Sequence, residues 1–238
     1  RLSMRSVPQV RFYSLIPARF SSRPNRFLVV VRRGAVRLRA ACRDPGRLRE
    51  LLVPEAEVRL APAEGRNRRT RFTLVLVRHR GRWVSVVPAL ANDILEKALE
   101  RGGVPGLGGV RVSRREARRG RSRIDFVLHD RGVSILTEVK SATLVVKGRA
   151  LFPDAPTLRG RRHLMELLAH VRRGGRALVV FVVQREDAEA LCLHRENDPA
   201  FAEAALNAAA AGVGFLAYAC RVSTRGIALL RRIPVRLR

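Results

Sequence analysis

Three polar side chains in the second half of the sequence have the types and spacing of a divalent-cation site. Asp125 lies in the run Ser122-Arg123-Ile124-Asp125-Phe126, and Glu138 and Lys140 follow in the triplet Glu138-Val139-Lys140. Alternate residues of a strand point to the same face, so Glu138 and Lys140 are predicted to lie side by side. Two carboxylates converging at one edge repel each other unless a cation lies between them, and an all-oxygen site suits Mg²⁺ or Mn²⁺.

The chemistry predicted for this set is catalytic as well as metal-binding. A divalent ion activates water and neutralises charge on a scissile phosphate, and Lys140 is predicted to position the water or to stabilise the pentacovalent phosphate. The sequence contains a single Glu-x-Lys triplet, in a chain that otherwise uses arginine for almost all of its basic residues. The alternative interpretation is an ordinary ion pair at a strand end.

Two further polar residues are candidates for the same site. Glu96, on a predicted helix before the Asp125 strand, is predicted to be a third metal ligand, and a solvent-facing helix acid is the alternative. Gln184 ends a predicted buried strand, and is predicted to orient water or phosphate; a capping amide is the equal alternative. Glu116 is interpreted first as an ion-pair partner of a nearby arginine.

Arginines flank these candidate residues and predict contacts with phosphates. Arg159, Arg161 and Arg162 lie near the start of a predicted helix, where anions are favoured, and arginine forms bidentate bonds with phosphate. Nucleic-acid contacts are also predicted for Arg123, beside Asp125, and for Arg68 and Arg69 in a basic cluster on a hairpin tip. A solvated basic face or loop is the alternative for these groups. The sequence has no nucleophile elbow for Ser/His/Asp catalysis, and its scattered histidines do not indicate a zinc site.

The overall charge of the chain indicates a polyanionic partner. The 238 residues carry 48 Lys or Arg against 20 Asp or Glu, a formal net charge of +28. A compact protein with this excess attracts nucleic acid, and we expect DNA bound through its phosphate backbone. No apolar run reaches the ~20 residues that a membrane helix needs. The three cysteines are far apart with no C-x-x-C pair, which argues against disulfides and fits the cytoplasm.

The elements that must position these residues fall into two groups. The β-rich runs at 27–32, 35–41, 57–61 and 72–78, separated by turn residues, predict a small OB-like β-barrel. After Trp83 the pattern changes to a helix capped by Asn92, then three strands over 110–139, a helix over 157–173 and a buried strand over 177–183. A third helix opening at Asp198-Pro199 precedes two final strands. This order predicts a mixed-sheet α/β domain, with residues 1–82 forming the barrel and 83–238 the second domain.

These motifs resemble the sugar fermentation stimulation protein A family over nearly the whole chain. The resemblance depends on the Asp125 and Glu138-Val139-Lys140 motifs, on the specific run Leu151 to Gly160 followed by His163-Leu164, and on Phe181 to Arg185. It implies an N-terminal OB-like domain and a C-terminal domain of the PD-(D/E)xK nuclease type. It also implies DNA binding and a proposed role in regulating sugar (maltose) utilisation.

The resemblance has departures in the N-terminal half. Where members carry Cys-Pro-Asn-Thr-Gly, this chain has Cys42-Arg43-Asp44-Pro45-Gly46, and an expected Asn-Thr pair is Val87-Pro88. Asn92 and Glu96 match the following helix. We therefore predict a DNA-binding protein with a nuclease-type metal site, and an active Mg²⁺- or Mn²⁺-dependent endonuclease is the alternative.

Overall fold

A computed structural model describes residues 9–63, 69–119 and 122–238, and within them the chain forms a barrel followed by an α/β layer structure. The first group of strands is β1 (Val10–Arg11), β2 (Ile16–Asn25), β3 (Leu28–Arg33), β4 (Val36–Ala41), β5 (Glu57–Pro62), β6 (Phe72–His79) and β7 (Arg82–Ser85). The remaining elements are α1 (Leu90–Glu100), β8 (Arg111–Arg119), β9 (Ser122–Asp130), β10 (Val133–Ala142), β11 (Val145–Val146), β12 (Arg149–Phe152), α2 (Leu158–Arg172), β13 (Arg176–Val183), β14 (Ala190–Leu193), α3 (Pro199–Ala210), β15 (Gly214–Ser223), β16 (Gly226–Ile233) and β17 (Val235–Arg236).

The barrel confirms the small β-barrel predicted from the sequence. Its strands follow the order β4-β3-β2-β5-β6-β7, and a parallel pairing between β4 and β6 closes the sheet. Alternate residues of β3 and β5, including Val29, Val31, Val58 and Leu60, are fully buried and form its core. The sheet extends past the predicted boundary at residue 82, because β6 and β7 form one hairpin around a turn at Arg80-Gly81.

The second sheet is mixed, as predicted, and has seven strands in the order β1-β16-β15-β13-β10-β9-β8. Strands β10, β13 and β15 are parallel, so their carboxyl ends meet at one edge of the sheet. The long apolar run of β13 is buried along its whole length after the first residue, as expected for a parallel strand with both faces covered. Helix α1 packs on one face, and α2 and α3 pack on the other.

Local signals placed most helix ends correctly. Thr157 caps α2 by accepting a hydrogen bond from the Gly160 amide, and Asp198 caps α3 by accepting from the Phe201 amide, as short polar side chains do at these positions. The capping role predicted for Asn92 is wrong. Helix α1 already begins at Leu90, and the side-chain amide of Asn92 donates to Asp125 instead.

Two features of the sheets were not predicted. Strand β1, close to the start of the described chain, pairs with β16 in the second sheet rather than with the barrel. A small sheet of order β11-β12-β14-β17 lies beside the main one. These strands are two to four residues long, too short to show periodicity in the sequence. Among the described residues, no helix is long and apolar enough to cross a membrane.

Candidate metal and nucleic-acid site

The candidate site lies where strands β9 and β10 separate. Their antiparallel ladder ends at the pair Phe126 and Thr137. Beyond this pair, the Val139 amide of β10 donates its hydrogen bond to a side chain of β9, Asp125 Oδ2, at 2.8 Å. Its Oδ1 accepts from the Asn92 side chain of α1 at 3.0 Å. These two bonds fix the carboxylate of Asp125 at the opening between the strands.

Glu138 and Lys140 lie on the same face of β10, as strand alternation predicts, and are in contact. Lys140 Nζ donates to Glu138 Oε1 at 2.6 Å. His163 of α2 contacts the same oxygen through Nδ1 and lies 3.5 Å from Lys140 Nζ. Glu138 is 3 % and His163 2 % exposed. One carboxylate oxygen of Glu138 is therefore held by two side chains in a nearly dry environment.

The electrostatics of the two carboxylates differ. Burial raises the pKa of Asp125, and the nearby charge of Glu138 raises it further, against the opposing hydrogen bonds from Val139 and Asn92. Burial also acts to raise the pKa of Glu138, but the hydrogen bond from His163 and the charge of Lys140 outweigh it, and the net pKa is lowered. Glu138 is thus stabilised as an anion, whereas the second negative charge on Asp125 is costly.

The second carboxylate oxygen of Glu138 is not held in the same way as the first. Glu138 Oε2 is buried and has no hydrogen-bond partner within the described residues. A buried acceptor without a partner costs about 1–3 kcal/mol. Carboxylate oxygens with waters and a phosphate are the ligand set of Mg²⁺ and Mn²⁺. Asp125 and Glu138 fit such an ion, although no group of three or more His, Cys, Asp or Glu side chains in the described ranges is arranged as a metal site.

Two other predicted site residues have structural partners. Glu96 forms an ion pair with Arg115 at 2.6 Å, and Asn92, one turn earlier on α1, makes the contact with Asp125. Gln184 is fully buried, and its Nε2 donates to the Val87 carbonyl and to Ser141 Oγ. The amide thus joins the end of the barrel to the end of β10, while its Oε1 has no partner in the described part of the chain.

The arginines predicted to bind phosphate lie on α2, on β9 and in a loop of the barrel. Arg159 and Arg162 are exposed in the first turn and a half of α2, and Arg161 is half-buried there. Arg123 is exposed and forms an ion pair with Glu116 at 3.2 Å, which confirms the ion-pair interpretation of Glu116. Arg69 is exposed in the loop between β5 and β6. Arg68 lies outside the described residues.

Comparison with known proteins agrees with this architecture. The family model for the "Sugar fermentation stimulation protein RE domain" matches residues 89–226, and the model for the "SfsA N-terminal OB domain" matches residues 22–86. The chain belongs to the SfsA family. Both halves are covered, so the family accounts for the barrel and for the sheet that carries Asp125 and Glu138.

Individual SfsA relatives match over nearly their full lengths. Sugar fermentation stimulation protein homologs from Moorella thermoacetica and Natranaerobius thermophilus are 46 % and 42 % identical, covering 94 % and 93 % of this chain and 97 % and 94 % of the relatives. A solved structure of Pyrococcus furiosus SfsA in complex with Ca²⁺ is 31 % identical, with a TM-score of 0.89, covering 97 % of this chain and 100 % of that one.

The run that carries much of the SfsA resemblance has a structural role beside the site. Asp154 Oδ2 accepts from the Leu48 amide of the barrel, and Pro153 O accepts from Asn197 before α3. An added Cβ at Gly46 would lie 2.6 Å from Asp154 Oδ2, so this glycine permits the close approach. The run therefore joins the barrel to α2, the helix that supplies His163.

Sequence reasoning did not find the part played by His163. In the sequence His163 was named only as part of the family motif, in the pair His163-Leu164. A signal was present, because His163 lies directly after the run from Leu151 to Gly160 that the resemblance depends on. Its contact with Glu138 spans 25 residues and depends on how α2 packs against β10.

Proposed function

We propose that this SfsA family member is a cytoplasmic protein that binds DNA through the phosphate backbone and holds a divalent cation, Mg²⁺ or Mn²⁺, next to a bound phosphate. The observation that carries the metal site is Glu138 Oε2, which is buried and has no hydrogen-bond partner among the described residues, next to the carboxylate of Asp125. Asp125 and Glu138 are the protein ligands, and the cation supplies Lewis-acid stabilisation of phosphate charge when bound. The Ca²⁺ in the Pyrococcus furiosus relative supports this, because Ca²⁺ and Mg²⁺ both prefer oxygen ligands.

The second domain is interpreted as a PD-(D/E)xK nuclease-type core. The acid on β9, the Glu-x-Lys triplet on β10 and the parallel strand β13 beside it support this interpretation. In this arrangement Lys140 Nζ donates to Glu138 and lies beside His163. Gln184 joins the Val87 carbonyl, at the end of the barrel, to Ser141 at the end of β10.

DNA binding is supported by the charge of the chain. The excess of 48 basic over 20 acidic residues is far larger than the ion pairs of the described residues can neutralise. A protein that neutralises about 6–10 phosphates loses about 10³–10⁵ in affinity between 50 and 200 mM salt. Titration of labelled duplex DNA at several salt concentrations measures this slope. A flat dependence would refute backbone binding.

Metal-dependent DNA cleavage is the second candidate function. Asp125 lies close enough to Glu138 and Lys140 to feel their charges, and Lys140 contacts Glu138. In this candidate function the three side chains hold the cation and the attacking water for hydrolysis of a phosphodiester. Plasmid and structured DNA are incubated with Mg²⁺ or Mn²⁺, comparing the wild type with Asp125→Asn and with Asp130→Asn, an acid at the far end of the same strand. Cleavage lost only in Asp125→Asn supports an endonuclease. Equal cleavage by all three proteins, or by none, rejects it and leaves a DNA-binding protein, consistent with a regulator of sugar utilisation.

A further inference from the structure

A second concave site lies on the α1 face of the main sheet, away from Asp125. It is a pocket of about 1000 Å³ between the carboxyl end of α1, the α1–β8 loop and strands β1, β15 and β16. Helix α1 contacts Asp125 through Asn92 and reaches this pocket at Arg101. Nine residues of helix span about 14 Å. The pocket is therefore a separate site on the same domain.

Three of the arginines that line the pocket have no side-chain partner among the described residues. Arg11 of β1, Arg221 of β15 and Arg225 of the β15–β16 turn line it, are exposed, and have no side-chain hydrogen bond or ion pair with the described residues. Among the described lining residues there is no Asp or Glu. Arg115 and Arg185, in contrast, are each held by a carboxylate. Like charges brought together without an acid repel one another, and a bound anion would offset this.

The floor of the pocket is apolar. Ala98, Val104, Ile227 and Leu229 line it and belong to the buried core beneath α1. A volume of about 1000 Å³ is at the upper end of small-molecule sites, which combine apolar walls with a few oriented polar groups. Guanidinium groups bind phosphate oxygens in pairs of parallel hydrogen bonds. An apolar floor with an arginine rim matches a ligand that has a planar base and a phosphate group.

We propose that this arginine pocket binds a nucleotide through its phosphate groups. The nucleotide is either free or the phosphorylated 5′ end of a strand, since the two present the same chemistry. A concave pocket does not suit the side of a duplex, whose phosphates lie on a convex surface. The proposal does not depend on the metal site, because the arginines bind the phosphate directly.

The test is equilibrium binding of ATP by calorimetry at low salt in the presence of EDTA. Arg221→Ala/Arg225→Ala is compared with the wild type and with Arg37→Ala/Arg39→Ala, which removes equal charge from two exposed positions of β4 on the barrel. We expect the pocket variant to weaken binding about tenfold or more, the order for losing a charge-assisted hydrogen bond, and the barrel variant to bind like the wild type. Equal weakening in both variants, or in neither, overturns the proposal.

Two further measurements identify the source of the phosphate and provide a replacement variant. A 5′-phosphorylated oligonucleotide and its unphosphorylated form are titrated with the same proteins. If the pocket variant loses affinity only for the phosphorylated oligonucleotide, the strand end is a ligand. If it keeps its affinity for both oligonucleotides but loses affinity for ATP, the free nucleotide is the ligand. If it loses both equally, the arginines are part of a general backbone track and the proposal is wrong. The single variant Arg225→Ala, in an exposed turn, repeats the comparison if the double variant is unstable.

Discussion

Removing the charge of Asp125 should abolish stabilisation of the fold by divalent cations. In the proposed site a bound cation would provide a partner for Glu138 Oε2, which has none among the described residues, a lack that costs about 1–3 kcal/mol. A ligand present at about 100 times its Kd stabilises a protein by about 2.7 kcal/mol. For a chain of this length, each kcal/mol shifts the Tm by about 2–4 °C. We therefore expect Mn²⁺ near saturation to raise the Tm by about 5–10 °C.

The variant Asp125→Asn should differ from the wild type in two properties, its Tm without metal and the rise in Tm that Mn²⁺ causes. It should lose the Mn²⁺-dependent rise in Tm, because one of the two carboxylate ligands is gone. Its metal-free Tm at neutral pH should equal or exceed that of the wild type, because burial and the charge of Glu138 make the ionised Asp125 costly. Differential scanning calorimetry with and without Mn²⁺ measures both effects.

The control is Asp130→Asn at the other end of β9, where the carboxylate lies 3.8 Å from Arg176. It removes the same charge and should keep the Mn²⁺-dependent rise. The reasoning would be refuted if Mn²⁺ stabilised Asp125→Asn as much as the wild type. A wild-type Tm that does not change with Mn²⁺ would refute it equally, because the unpartnered oxygen of Glu138 would then not be a metal ligand.

Three other changes test different parts of the structure. Asp44→Asn should be more stable than the wild type at neutral pH. Burial and a neighbouring carboxylate raise the pKa of Asp44, so the wild type loses stability as the pH rises above the unfolded pKa of that carboxyl group. The difference in the free energy of unfolding between the two proteins, measured in urea, should therefore disappear in acid. A gap that persists in acid would contradict this. Arg159→Ala/Arg162→Ala should reduce the salt slope of DNA binding by roughly one for each phosphate that the variant no longer neutralises, and an unchanged slope would remove α2 from the interface. Gly160→Ala should lower the free energy of unfolding by about 1–3 kcal/mol through overpacking, because the added Cβ would lie 2.8 Å from the side chain of Thr157, which caps α2. Gly108→Ala, where the added Cβ meets no atom within 4 Å, is the control.

Much of the fold could be predicted because its signals are local. The four β-rich runs before residue 82 correspond to β3, β4, β5 and β6 within about a residue or two at each end, since each is a short apolar run bounded by turn residues. The start of α3 was predicted from another local signal, the capping side chain of Asp198 followed by Pro199. Strand β2 was missed, because polar residues and Pro24 interrupt its apolar pattern.

The site was predicted only in part. Alternation along one strand is sufficient to place Glu138 and Lys140 together, and their contact at 2.6 Å confirms it. The convergence of Asp125 with them was inferred from the turn that joins β9 and β10, and the register of these strands agrees. Metal binding by Glu96 stays a prediction. Its carboxylate forms an ion pair with Arg115, and this contact does not test whether Glu96 binds a cation.

The sequence by itself determined the residue types of the site, the strand that carries Glu138 and Lys140, the family motifs and the excess of positive charge. Only the tertiary structure placed His163 against Glu138, Asn92 against Asp125, and Arg11, Arg221 and Arg225 around one pocket. The physical reason is the range of the interactions. Backbone alternation and capping act over a few residues, whereas these contacts bring together distant segments through strand register and helix packing, which depend on the whole core.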